Sequence, residues 1–248
     1  MKLINNNKKI LPIFIIIILL ITISLIYQIT INKSNNISYH ILTIILITLP
    51  LVIEYKYKLV IPLFLKIILF IFPILSMILG EVYHFYTTYP YFDKFLHLLN
   101  GFISSSLGYS ILYNLNKRNN KILILLFTIT FSISLSSIWE ILEYTQDNIF
   151  LKDCQNDTTI YHISSLYFDK EEPYIIDNID YTIIGYKDLF NEPKEITIKG
   201  YLDIGLNDTM QDLIIGIIGS IIFTLLLYLY LINKTKYPYI NNFIIKRY

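Results

Sequence analysis

Six side chains of the kind that bind metal ions occur in three closely spaced pairs. The pairs are Asp93 with His97, Glu140 with Glu143, and Asp208 with Asp212. Residues three or four apart lie on the same face of an α-helix, so each pair would project to one side of its helix. Imidazole and carboxylate groups bind divalent ions such as Zn, Mn or Mg. The pairs therefore predict a catalytic site in which these six residues hold one or two such ions.

Two further residues, and two alternative roles, belong to this prediction. Glu81 and His84 are secondary candidates as metal ligands. His84 also fits an interfacial belt formed by the neighbouring tyrosines and phenylalanines. Asp93 and Asp208 stand where helices are expected to begin, and the role of an N-terminal cap suits both residues equally well.

The cost of ionisable groups in a membrane makes this site a functional candidate. His97 and Glu140 lie deeper in apolar sequence, where such groups need a partner or a water-filled cavity. Nearby cations are few, because only Lys94 is adjacent, whereas Arg118 and Arg247 are predicted on the opposite membrane side. Carboxylates that face one another without basic partners must share protons or bind a cation.

The composition places these residues in a membrane protein. The chain has 248 residues, of which 54% are hydrophobic and 16% are charged, and its mean hydropathy is +0.54. These values exclude an ordinary soluble globular class. The formal net charge of +1 argues against a nucleic-acid partner. Cys154 is the single cysteine, so no internal disulfide can form.

Six apolar runs are long enough to cross a bilayer, which takes about 20 residues. They fall at 10–31, 37–53, 59–79, 94–115, 122–144 and 210–232. Pro50, Pro62 and Pro73 are expected to kink the second and third runs. The predicted fold class is an all-α polytopic membrane protein with about six transmembrane helices and a small β-containing extracytoplasmic insertion. Residues 1–147 would hold the first five helices, residues 148–207 the insertion, and residues 208–248 the sixth helix and a cytoplasmic tail.

The distribution of lysine and arginine predicts the orientation. These residues concentrate before the first span, between the second and third, between the fourth and fifth, and after the last. A multi-pass protein of the cell membrane with both termini cytoplasmic follows. The insertion is then extracytoplasmic, and its alternating apolar and polar stretches predict short strands. Lys66, a lone charge in the third span, is expected to extend toward the cytoplasm, and His40 is expected to be an ordinary interface or loop residue.

Small residues continue the face of each ionisable pair along its helix. They are Gly101, Ser104 and Gly108 after His97, Ser132 and Ser136 before Glu140, and Gly216 and Gly219 after Asp212. Small side chains allow membrane helices to approach closely. The pattern therefore predicts that these three faces pack together, with the ionisable ends filling a crevice at the outer side.

The order of the motifs resembles the YjdF-like family of bacterial and archaeal membrane-spanning proteins. The resemblance rests on GEVYHFYTTYPYFDKFLHLLNG, WEILEY and NDTMQDLIIGIIGS and covers roughly residues 80 to 220. The family's pattern falls here on Asp93, His97, Gly101, Glu140, Glu143, Asp208, Thr209, Asp212 and Gly219. The order is also similar, more distantly, to that of VanZ-like membrane proteins. The resemblance implies a polytopic helical fold and these site residues, and it implies no particular reaction.

Three classes of function are compatible with such a site. A metal-dependent enzyme would hydrolyse or transfer groups on a lipid-linked or amphiphilic substrate, with the ion supplying the positive charge that a phosphate needs. Alternatively, the same acids would relay or coordinate the cargo of a proton, cation or small-molecule transporter. A structural or partner-binding membrane protein is the third class. Membrane lipids are the expected surroundings in every case, and the sequence leaves the oligomeric state open.

Overall fold

The computed structural model describes residues 2–33, 36–115 and 120–247, and their side chains from Ile10 onward. Six helices in this part of the chain are long and apolar enough to cross a membrane. They are Ile10–Thr30, Ile37–Tyr57, Leu63–Val82, Phe92–Asn114, Lys121–Phe150 and Leu206–Ile232. Apolar runs become helices in lipid because a helix satisfies its own backbone hydrogen bonds. The predicted fold class is confirmed.

The first half of the chain is helical apart from one short strand. Its elements are α1 (Lys2–Thr30), α2 (Ile37–Tyr57), β1 (Leu59–Val60), α3 (Leu63–Pro73) with the π-helix Ile74–Val82 that follows, and the short α4 (Phe85–Thr88). The prediction of proline kinks needs correction at Pro62, which precedes α3 and does not interrupt it. Pro73 ends the α-helical part of the third span, where the missing N–H of proline removes a helical hydrogen bond and the wider π-helix begins.

The second half contains three long helices, the strands of the insertion and an ordered tail. Its helices are α5 (Phe92–Asn114), α6 (Lys121–Phe150) and α7 (Leu206–Ile232), and the tail contains the 3₁₀-helix Pro238–Asn242 and strand β8 (Lys246–Arg247). Both α6 and α7 extend two or three residues into the insertion. Lys117 and Arg118, which contribute to the predicted orientation, lie outside the described residues.

The described chain separates into two compact units. The first contains Met1–Ser136 and Ile214–Tyr248, and the second contains Ser137–Leu213. In the first unit, α1, α2 and α3 pack through Ile10, Ile21, Ile47 and Phe70. The tail folds back within this unit: β8 pairs antiparallel with β1, and the Arg247 amide donates to Oδ1 of Asn114 on α5 at 2.7 Å.

The strands of the insertion lie in the second unit and form three antiparallel pairs. The strands are β2 (Thr158–Ile160), β3 (His162–Ser165), β4 (Tyr174–Asp177), β5 (Tyr181–Lys187), β6 (Pro193–Lys199) and β7 (Tyr201–Asp203). β3 pairs with β4 and β5 with β6 as local hairpins, whereas β2 pairs with β7 and closes the base of the insertion. The predicted short strands are confirmed, while the orientation of the insertion stays a prediction.

Candidate functional site

Helix α5 carries the predicted histidine ligand in the first unit. Asp93 is in the first turn of α5, and His97 follows one turn later on the same face. His97 Nε2 and Asp93 Oδ1 are 3.6 Å apart, with 7% and 18% of the two side chains exposed. Asp93 lies inside the helix and the N-cap position is Tyr91. The imidazole and the carboxylate are therefore held together in a largely dehydrated environment.

The small residues of α5, α6 and α7 bring these helices into close contact within the first unit. A Cβ added to Gly101 would overlap the carbonyl oxygen of Gly216, and one added to Gly216 would lie 3.2 Å from Ser136 Oγ. Ser132 Oγ also donates to the Gly101 carbonyl at 2.9 Å. The predicted packing of the three small-residue faces is confirmed. Gly101 follows His97 by one turn on this contact face.

The two predicted glutamates lie in the second unit, on the last turns of α6. Glu140 is 5% exposed, and ligand-type oxygens of Glu140 and Glu143 lie within 4.8 Å of each other. Trp139 Nε1 donates to Glu143 Oε1 at 2.7 Å. Glu140 follows Ser136 by one helical turn, so α6 continues the face that packs in the first unit toward its carboxylates.

The two predicted aspartates lie in the first turns of α7. Asp212 and Asp208 are 1% and 7% exposed. Asp208 Oδ2 accepts hydrogen bonds from the backbone and side chain of Asn156, at 2.9 and 3.1 Å. Asp203 Oδ2, not Asp208, accepts the Asn207 amide at the start of α7, at 2.7 Å. Asp208 therefore anchors the insertion, while Asp212 lies one turn deeper, next to Gly216.

The secondary candidates occupy a different local setting. Glu81 lies near the end of the π-helix and is partly buried, whereas His84 is exposed immediately before α4. His84 has a left-handed backbone conformation, with φ of 59°, and its carbonyl accepts the hydroxyl of Thr88 at 2.8 Å. These contacts give His84 a role in the turn between the π-helix and α4.

A cavity lies within the second unit, beside Glu140. Its volume is about 510 Å³, and its walls come from α6, from α7 and from the start and end of the insertion. The wall residues on the helices include Ser137, Glu140, Ile141, Tyr144, Thr209 and Leu213. Gln155 completes a polar wall, because its amide donates to the hydroxyl of Thr209. The lining is thus mainly apolar, with a few polar groups among the aliphatic side chains.

Sequence reasoning missed a buried ion pair in the first unit. Lys66 Nζ donates to Glu54 Oε2 at 2.6 Å, and the two side chains are 0% and 3% exposed. Glu54 Oε1 accepts the Ile61 amide at 2.7 Å. The expectation that Lys66 extends toward the cytoplasm is therefore wrong. A buried lysine needs a partner. The sequence feature that could have predicted the ion pair is Glu54, an acidic residue in the preceding span.

His40 also differs from its expectation. It is fully buried, so it is no ordinary interfacial residue. Its Nδ1 donates to the Asn36 carbonyl at 2.8 Å, which leaves Nε2 of the neutral ring to accept the Ser24 hydroxyl at 2.9 Å. Ser24 Oγ in turn lies 3.1 Å from the hydroxyl of Tyr83. This network joins α1, α2 and the end of the third span.

The fold and these side chains define an integral membrane protein that buries aspartate, histidine and glutamate on three of its six candidate spans. Residues 12–233 match the family described as "Predicted membrane protein (DUF2238)", and the chain belongs to this family. YjdF is of the same family, so the resemblance noted from the motifs agrees with the match. No curated protein and no solved structure matches the chain. The family description assigns no activity.

Proposed function

We propose that the protein binds a divalent metal ion through the ionisable pairs of α5, α6 and α7. The ion would serve the hydrolysis or transfer of a group on an amphiphilic or lipid-linked substrate. The proposed ligands are His97, Asp93, Glu140, Glu143 and Asp212. Asp208 belongs to the same site as a positioning residue, because its carboxylate holds Asn156.

The packing of the three helices is the observation that supports this proposal. Gly101, Gly216 and Ser136 lie against one another in the first unit. His97, Asp212 and Glu140 are each one turn away from these residues, about 5.4 Å along the same helix. If the helices continue in the direction set by the contact, the three side chains meet in one place. An imidazole with carboxylates is a ligand set suited to Zn, Mn or Mg.

The chemistry follows from the ligand set and its location. A divalent ion held there would polarise a phosphoryl or acyl oxygen and would lower the pKa of a bound water. The carboxylates next to it would accept the proton of that water. An amphiphilic substrate fits because the ligands lie on helices of membrane-spanning length.

The test is the metal content of the purified protein. The full chain in detergent is dialysed against Zn²⁺ or Mn²⁺, and bound metal is measured by plasma mass spectrometry. We expect about one ion per chain, lost in the double variant His97→Ala, Glu140→Ala. The matched control is His162→Ala, Glu195→Ala, which removes the same residue types from exposed strands of the insertion. Metal retained by the first variant, or absent from the native chain, contradicts the proposal.

A second candidate function has its own supporting observation. Buried hydroxyl groups follow His97 along α5, at Ser104, Ser105, Ser106 and Ser110, and they project from more than one face of the helix. Such groups would serve the movement of protons or cations from the carboxylates through the bundle. Proton or cation flux into liposomes containing the protein, abolished by Asp212→Asn, would favour transport. Absence of flux in metal-loaded protein leaves the enzyme proposal as the better account.

A further inference from the structure

The cavity beside Glu140 has the dimensions of a ligand site. Its volume of about 510 Å³ lies within the range of about 300–1,000 Å³ found for small-molecule pockets. All of its wall residues belong to the second unit, so its shape is set by the ends of α6 and α7 and by the insertion between them.

The walls of this cavity differ in polarity. Gln155, Thr209 and Glu140 supply polar groups, whereas Ile141, Ile204, Leu206 and Leu213 supply hydrocarbon. The rim is open, since Ile204 is 79% exposed and Leu206 is 62% exposed. An amphiphile has the same division between a polar head and an apolar chain.

The surroundings of the cavity favour a hydrocarbon ligand. Ile141 and Leu213 belong to two of the candidate membrane spans, Lys121–Phe150 and Leu206–Ile232. Aliphatic side chains on such helices suit an alkyl or prenyl chain, which moves in the bilayer without exposure to water. Burial of the chain against aliphatic side chains then adds van der Waals contacts.

The charges of the walls specify the head group. Glu140 is the single carboxylate among the wall residues of this cavity in the described chain, and no lysine or arginine is present there. In the chain without its metal ion, a carboxylate or phosphate head would lie beside a carboxyl group without a compensating cation. A hydroxyl head, by contrast, donates a hydrogen bond to Glu140 or accepts one from Gln155.

We propose that this cavity binds the hydrocarbon chain of a long-chain alcohol, with the hydroxyl group directed at Glu140. The inference rests on the proposed function, because it names the alcohol part of the lipid-linked substrate. In hydrolysis, water supplies the oxygen that forms the new bond to phosphorus or carbon. The bond from that atom to the alcohol oxygen breaks, and the alcohol oxygen takes up a proton. The alcohol product stays in the cavity until it diffuses into the bilayer.

The experiment is photolabelling of the full chain in detergent with a long-chain alcohol that carries a diazirine on its alkyl chain. Ser137→Phe fills the cavity from α6, and Leu213→Trp fills it from α7. The matched control is Ile138→Phe, which adds an aromatic ring to the adjacent, exposed position of α6. We expect labelling to fall about tenfold in both filled variants and to be unchanged in the control. The labelled peptides should contain residues 137–144 or 204–213.

The outcomes separate this inference from the metal proposal. Labelling is measured in the presence of a chelator, since the cavity does not need the ion to bind a chain. Labelling at the cavity supports the inference, and if the native chain also takes up no metal in the dialysis experiment, the metal proposal alone is contradicted. Equal labelling of the filled variants and the native chain overturns the inference, as does labelling confined to other helices. Equal labelling by the corresponding fatty acid overturns the assignment of the head group.

Discussion

The backbones of α5 and α7 meet at Gly101 and Gly216, where a Cβ on Gly101 would overlap the carbonyl oxygen of Gly216. A similar contact occurs nearby, because a Cβ on Gly219 would overlap the Leu98 carbonyl oxygen. Membrane helices gain packing and polar contacts from such close approach. This pair of glycines therefore fixes the spacing of the helices that carry His97 and Asp212.

Gly101→Ala should destabilise the protein, because carbonyl oxygen atoms of the backbone cannot move away as a flexible side chain does. The expected loss is about 1–3 kcal/mol in the free energy of unfolding, as for other overpacked contacts. Unfolding by a denaturing detergent, followed by circular dichroism, measures it. Gly185→Ala is the matched control, since nothing lies within 4 Å of a Cβ at that position. Equal stability of the two variants would show that α5 and α7 are not in contact at Gly101.

Lys66→Met alone should destabilise the protein far more than the double variant Glu54→Gln, Lys66→Met does. Removing the cation alone leaves a buried carboxylate without its partner, which costs about 3–5 kcal/mol. The glutamine of the double variant can still accept the Ile61 amide without carrying a charge. A double-mutant cycle in the same unfolding assay measures the coupling. If Lys66→Met alone is neutral, the buried ion pair does not exist.

His40→Ala should weaken the contact between α1 and α2. The change leaves the Ser24 hydroxyl without its buried acceptor, and the expected cost is about 1–3 kcal/mol. The exposed His162→Ala on β3 is the control for loss of a histidine as such. His40→Gln retains a group that can both donate and accept, and it should recover part of the loss. If His40→Phe recovers as much of the free energy of unfolding as His40→Gln does, only the volume of the side chain matters at this position.

Stability should depend on pH through Asp153, which lies in the insertion outside the spans. Desolvation raises the pKa of Asp153, and the charges of Asp157, Asp147 and Asp208 raise it further. Folding therefore favours the protonated form, so this contribution is present below the ordinary pKa of aspartate and is lost as pH rises through the raised value.

Asp153→Asn should consequently stabilise the insertion at neutral pH by at most about 1 kcal/mol, because the group is exposed and its interactions are screened. The gain should vanish in acid, below the ordinary range of an aspartate. Asp177→Asn, on exposed β4, is the control. Thermal melting of both variants across this pH range measures the gain in stability. A gain that persists in acid would show that the effect does not come from the charge of Asp153.

Much of this architecture was predictable because membrane insertion imposes simple rules on sequence. The six spans follow from apolar length, and the contacts at Gly101, Ser132 and Gly216 follow from small residues repeating at helical spacing. The strands of the insertion follow from alternation of apolar and polar residues. In each case neighbouring residues along the chain carry the signal.

The features that escaped prediction depend on partners distant in sequence. Lys66 has no helical neighbour to explain it, and only the fold places Glu54 beside it. The sequence around His40 predicts an interfacial residue, and only the fold places Ser24 of α1 within hydrogen-bond distance of its ring. Asp203, rather than Asp208, caps α7 because the turn before the helix decides which oxygen reaches the amide. Periodicity reports the faces of helices and strands, and it does not report single partners that are distant in sequence.

The proposed site requires the side chains of His97 and Asp212 to face each other, and a metal bridge between cysteines at these positions tests this most directly. Cys154→Ser removes the single native thiol, after which His97→Cys and Asp212→Cys are introduced together. We predict that Cd²⁺ protects both thiols from a maleimide, since two thiolates that face one site bind the ion jointly. Phe95→Cys with Ile214→Cys, both at exposed positions of the same helices, should not be protected. Full maleimide reactivity of the 97 and 212 pair in the presence of Cd²⁺ would contradict a shared site on α5 and α7.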